Sequence, residues 1–158
     1  MKSVDEVAKG LEGLPVELKK LDEKTLEVRV KSELLVEVAT KLKEIGFDHV
    51  KSVTGIDRPT KEEIEVVYHV SSYEGEVGGL IVVLRTSTKR TDPRVPSLTE
   101  VWASAEYLER ETYDMLGVIF EGHPRMERLL LLPDEFEGIY PLRKDFKVPE
   151  EGLVIEDD

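Results

Sequence analysis

The chain has 158 residues and not one cysteine. That excludes disulfides, a thiol nucleophile and thiolate-held iron–sulfur clusters within it. Asparagine and glutamine are missing too, while 35% of the residues are charged. Amides and thiols degrade when hot, and ion-pair networks desolvate at less cost there, so this is the composition of a hyperthermophile protein. Only three histidines occur, far apart, and no His-x-x-x-His pair offers a ready metal site. Uninterrupted apolar runs are short of the ~18 residues a membrane span needs. The start, Met1-Lys2-Ser3-Val4-Asp5-Glu6, turns acidic at once and lacks the apolar core of a secretory signal. A soluble chain with no direct membrane span is expected. Basic residues are also in the minority, 22 against 34 acidic, for a net charge of -12. Nucleic acid and anionic lipid need positive surface, so neither is expected as the main partner.

What is present reads as one domain with a sizeable core. A short amphipathic helix over 4–14 places Val4, Val7, Ala8 and Leu11 on one face. Alternation over 26–31 predicts a strand with one wet side. Ser32 then stands as the cap of a second helix, with a stripe of Leu34, Leu35, Val38, Leu42 and Ile45, a Glu37–Lys41 pair, and Gly46 at its end. Strands are predicted over 50–56, 64–70 and 80–84, the last continuously apolar and suited to the centre of a sheet. A glycine-rich loop, 71–79, joins the last two, and 92–97 is a breaker-rich linker. The third helix, 102–116, directs Val101, Ala105, Leu108, Thr112 and Met115 to the core. It leaves Arg110 and Tyr113 on the opposite side, with Glu106 and Glu109 beside them. Residues 118–120 make a further short strand. The expected class is α+β: a mixed sheet of four to five strands with two to three helices over residues 1–120. An extended, partner-wrapping C-terminal arm over 121–158 completes it.

Few residues suit catalysis. No Gly-x-Ser-x-Gly elbow occurs, and His49 and His69 read as structural or solvent-facing. Glu121, His123 and Glu127 could converge on a metal, but Pro124 more simply marks a fixed turn with His123 hydrogen-bonded beside it. The glycines at 75, 78 and 79 sit among acids that would repel a phosphate. Two charged clusters remain: the helix segment Glu109-Arg110-Glu111-Thr112-Tyr113-Asp114, and Pro141-Leu142-Arg143-Lys144-Asp145-Phe146. They read either as a solvated charged face or as a docking surface where arginine forks and aromatics anchor an interface.

These clusters carry a resemblance. Residues 102–117, with Phe120, Gly122-His123-Pro124, Arg128-Leu129-Leu130 and 141–146, resemble in order and spacing the signature of the 30 kDa subunit of respiratory complex I. Val53-Thr54-Gly55-Ile56-Asp57 and Val66-Val67-Tyr68-His69-Val70 are more loosely similar to the same family. The resemblance implies an α+β subunit with no redox centre and no catalytic residue of its own. It also implies an arm that wraps a neighbour descended from the hydrogenase large subunit. Iron–sulfur clusters, and nickel–iron in some complexes, are implied in the partner subunits only. It further implies partner-docking roles for Glu109, Arg110, Glu111, Tyr113, Asp114, His123, Pro124, Arg128, Pro141, Arg143, Lys144 and Asp145. Tyr107 stands where a tryptophan is common in the family, and Gly138-Ile139-Tyr140-Pro141 is one residue longer than usual. Both departures suit the version found in archaeal membrane-bound hydrogenase or sulfane-sulfur reductase complexes. The expected function is therefore a scaffold subunit held on the cytoplasmic side of the cell membrane. It would serve a ferredoxin-dependent, ion-translocating oxidoreductase. Rival readings are a subunit of an NADH:quinone-type complex I, a stand-alone acidic adaptor, and an acid/base enzyme using carboxylates near Glu109 and Asp114.

Overall fold

The computed structural model describes residues 1–126 and residue 143. Helix α1, Val4–Gly10, opens with a reciprocal capping box: Ser3 Oγ accepts the Glu6 N–H while the Glu6 carboxylate reaches back to the Ser3 N–H. It ends four residues earlier than the periodicity predicts, and the chain turns into β1, Glu17–Asp22. That strand was not legible in sequence, because all six of its residues are exposed and Lys19-Lys20 interrupts any apolar alternation. It pairs antiparallel with β2, Thr25–Arg29.

A single 3-10 turn, Ser32–Leu34, leads into α2, Leu35–Ile45. The expected Ser32 cap is therefore displaced: Leu34 holds the cap position, with no side-chain hydrogen bond. Lys41 pairs with Glu44 at 3.8 Å rather than with Glu37. Strands β3, His49–Arg58, β4, Glu63–Ser71, and β5, Ile81–Lys89, run antiparallel in sequence. β5 runs beyond the predicted 80–84 to Lys89 through alternating Thr86 and Thr88, whose polar side chains carry no apolar signal. The sheet order is β1-β2-β5-β4-β3, and β5 pairs parallel with β2. One parallel pair makes the sheet mixed, as expected for this α+β class. A second, two-stranded parallel sheet joins β6, Arg94–Pro96, to β7, Ile119–Glu121.

Helix α3, Ala105–Leu116, follows turns at 98–104 and stops at Gly117, whose φ of 80° is a left-handed cap that favours glycine. The three helices contribute to one core, built on the face of the sheet that carries Leu26, Val28, Val66, Tyr68, Val70, Val82 and Leu84. α3 lies across β3 at Gly55. A Cβ there would overlap Leu116 Cδ1 and press on Thr112 Cγ2 at 3.2 Å. Only a glycine lets the helix approach so closely. Trp102, 2% exposed, fixes the helix approach by donating its indole N–H to the Phe47 carbonyl at 2.8 Å. The predicted arm falls, apart from 121–126 and Arg143, outside the described residues.

Gly55→Ala is expected to destabilise the protein by about 1–3 kcal/mol, the usual range for overpacking a closed core. Urea or thermal melts would show it as a lower midpoint; an unchanged midpoint would mean that α3 does not sit where described.

Candidate docking site around helix α3

The expected core face of α3 holds at Val101, Ala105 and Thr112, and gives way to the next residue at Leu108 and Met115. Ala105, Glu109, Thr112 and Leu116 are buried, whereas Leu108 and Met115 are only half-buried. Their spacing of 4, 3 and 4 is as good a helical stripe as the one predicted. Apolarity favoured Leu108; the pocket beneath the helix wanted a carboxylate.

Glu109 has no exposed surface. Its Oε1 accepts the Ser97 hydroxyl at 2.7 Å, and its Oε2 accepts the Tyr68 hydroxyl at 2.6 Å and the Leu98 N–H at 2.9 Å. One side chain thus ties α3 to β4 and to the turn after β6. Burial pushes the Glu109 carboxyl above the ordinary carboxylate range, while the three donors and nearby His123 pull it back. The Tyr68 hydroxyl is raised well above its ordinary value by burial and by the Glu109 charge. The placement of Glu109 on the outward side beside Arg110 and Tyr113 is thereby corrected. Its raised pKa matches what an acid/base enzyme would need, but the carboxylate is enclosed and both its oxygens are occupied. Asp114 is likewise fully buried.

The far end of α3 carries a second polar cluster. Arg143 Nε donates to the Leu116 carbonyl at 2.7 Å, and its Nη1 lies 3.4 Å from the Arg90 carbonyl. A guanidinium on the last carbonyls of a helix meets both their unsatisfied acceptors and the negative end of the dipole. Arg90 in turn grips Asp57 with two parallel bonds of 2.7 and 3.0 Å. Asp57 is 5% exposed and sits on the core face of β3, two residues beyond Gly55. Such a bidentate pair fixes both partners' orientation.

The Gly122-His123-Pro124 turn packs back on the same helix. His123 Nε2 lies 2.8 Å from the Glu106 carbonyl and Nδ1 accepts the Arg125 N–H at 2.9 Å, which places the ring proton on Nε2. The expectation of a fixed turn with His123 hydrogen-bonded holds. Both imidazole nitrogens are occupied by backbone. Pro124 is exposed.

The structure thus brings Glu109, His123 and Arg143 onto or around α3 as internal braces and buries Asp114 within it. Arg110, Glu111 and Tyr113 are half-buried along its other faces. Tyr107, 53% exposed, is the most open large side chain of the helix. Arg128, Pro141, Lys144 and Asp145 lie outside the described residues. Sequence reasoning missed Asp57, Tyr68, Arg90 and Ser97. The signal for Asp57 was available: a lone carboxylate at an inward position of an alternating strand must find a cation.

The family model for the respiratory-chain NADH dehydrogenase 30 Kd subunit matches residues 28–152. The chain belongs to that 30 Kd subunit family. It is 42% identical over 124 residues to an NADH-quinone oxidoreductase subunit of Moorella thermoacetica, covering 78% of this chain and 80% of the relative. It is 40% identical over 103 residues to a subunit of the F(420)H(2) dehydrogenase of Methanosarcina mazei, covering 65% and 63%. Among solved structures it is similar to a chain of the membrane-bound sulfane sulfur reductase, an archaeal respiratory membrane complex. There the TM-score is 0.81 at 33% identity, over 93% of this chain and 86% of that one. The trypsin-resistant fragment of Nqo5 matches at a TM-score of 0.66 and 30% identity, over 77% and 97%. The family match begins at residue 28, so α1 and β1 precede it.

Tyr68→Phe and Glu109→Gln are each expected to cost about 1–3 kcal/mol, because each disturbs a buried, charge-assisted hydrogen bond. The pH dependence separates them. A carboxyl raised in the folded state favours folding while protonated, and that contribution falls as pH rises from about 4 through the folded value. Glu109→Gln removes the slope, so its deficit against the wild type narrows with rising pH in urea melts. Tyr68→Phe retains a slope.

Proposed function

We propose that this chain is the docking and scaffold subunit in the peripheral arm of a membrane-bound, complex-I-like oxidoreductase, and that the electron-transfer chemistry lies on its neighbours. The observation that carries this reading is the use made of the signature residues. The buried ones brace α3 from inside, which leaves its outer ridge, with Tyr107, Arg110 and Glu111, as a rigid surface for a partner. Rigid elements present an interface at less entropic cost than loops. Relatives named as subunits of NADH-quinone oxidoreductase and F(420)H(2) dehydrogenase, and a structural neighbour from a sulfane sulfur reductase, support the same reading.

The partners on this proposal are a protein like the hydrogenase large subunit and iron–sulfur subunits, which hold the clusters and, in a hydrogenase, nickel–iron. This cysteine-free chain has no thiolate to hold such a cluster. No described helix is long and apolar enough to cross a membrane, and on this reading attachment to the cytoplasmic face runs through those partners. A ferredoxin-dependent hydrogenase or sulfane reductase, coupled to ion translocation, is favoured by the hyperthermophile-like composition and by the sulfane reductase neighbour. A quinone-reducing complex is the second reading, favoured by the 42% identity to an NADH-quinone oxidoreductase subunit.

The test is affinity purification of the tagged chain from native membranes. Co-purification of a cluster-bearing large subunit is expected. Glu111→Lys should lower that recovery at least tenfold, while the melting of the isolated chain moves by no more than about 0.5 kcal/mol, as for ordinary surface changes. Turnover of a substrate by the purified monomer would overturn the proposal.

A further inference from the structure

The sheet has a second face, opposite the three helices. The strand registers place Arg29 of β2 beside Arg85 of β5, and Arg85 beside Val67 of β4. Glu65 and Ile56 are paired on the same side, and Arg58 lies two residues beyond Ile56. Across four strands spaced about 4.8 Å apart, these residues form a flat row of roughly 14 Å.

At its centre is Glu65, only 5% exposed. Arg58 Nε donates to its Oε2, Arg85 Nη1 to its Oε1 at 3.1 Å, and Arg29 Nη1 lies 3.5 Å from Oε1. Arg85 Nε also pairs with Glu27 at 2.6 Å. Burial alone would raise the Glu65 carboxyl; the bonds from Arg58 and Arg85 outweigh it and hold the group below its ordinary value. Two carboxylates therefore hold Arg58 and Arg85 and pair more loosely with Arg29. The side chains of Arg29, Arg58 and Arg85 remain 43%, 38% and 24% exposed. Each guanidinium has five donors, and the inward pairs use one or two of them. The result is a set of pre-oriented cationic forks on a protein of net charge -12. Lys51 of β3 adds positive charge at the margin. Val67 and Val83 lie on this face, buried but outside the main core cluster.

We propose that this arginine row is a docking strip for an acidic, extended segment of a neighbouring protein, distinct from the α3 ridge. Charge complementarity identifies the occupant. Carboxylates spaced along a chain match forks spread over four strands, whereas a single compact phosphate spans only one or two of them. Half-buried Ile56 beside the forks gives the segment apolar contact. The inference does not depend on a redox partner, so it can fail while the proposed function stands, and the reverse.

The test uses the full chain and three probes: a fluorescein-labelled peptide of alternating Glu and Val, its Lys–Val counterpart, and inorganic pyrophosphate. Expected results are binding of the Glu–Val peptide only, weakening as salt rises, and at least tenfold weaker binding by the Arg29→Glu, Arg58→Glu double variant. Arg29→Ala alone, which leaves the Arg58 and Arg85 bonds to Glu65 intact, should lower affinity about threefold if the double variant fails to fold. Lys43→Glu, on α2 across the sheet, should change nothing. No binding of the Glu–Val peptide, equal binding by the arginine variants, or displacement by pyrophosphate at lower concentration than unlabelled peptide would each overturn the inference.

Discussion

The fold around α3 depends on one enclosed carboxylate. Glu109 accepts three hydrogen bonds from two separate stretches of chain, Tyr68 on β4 and the Ser97-Leu98 turn. A buried charge without partners would be strongly unfavourable, so the carboxylate restricts the helix to the one position where all three donors reach it. Hydrophobic packing alone would allow α3 to rotate or slide by small amounts. The polar constraint sets its rotation, and the steric constraint at Gly55 sets its depth.

The other polar contacts extend that logic to the ends of the helix. Trp102 fixes the approach to it through the Phe47 carbonyl, His123 holds the following turn against Glu106, and Arg143 covers the last carbonyl at Leu116. The Asp57–Arg90 pair carries the support back into β3. Many signature residues thus act within the chain. A helix held this firmly presents its outer ridge with little freedom left to lose on association, which suits the docking role proposed for it. The opposite face of the sheet uses a related device, in which Glu65 orients arginines that then face outward.

Most of the secondary structure was legible. The 3.6-residue stripe of α2 and the alternation in β2 are direct records of one-sided burial, whereas β4 alternates in sequence yet is buried on both faces. β1 was not legible, because a strand exposed on both faces leaves no hydrophobic period to read; it exists by pairing with β2. On α3 the inward turn of Glu109 was misjudged, because hydropathy scores a glutamate as outward, whatever donors await it. Asp57 and Arg90 lie 33 residues apart, and nothing local links them.

By itself the sequence determined the α+β class, the absence of thiolate ligands, and the family, since its signature is a matter of residue order and spacing. Only the tertiary structure decided which signature residues face inward. That is a property of which donors converge on a given side chain, and convergence between β4, the Ser97 turn and α3 is created by packing at long range, beyond what any local period encodes.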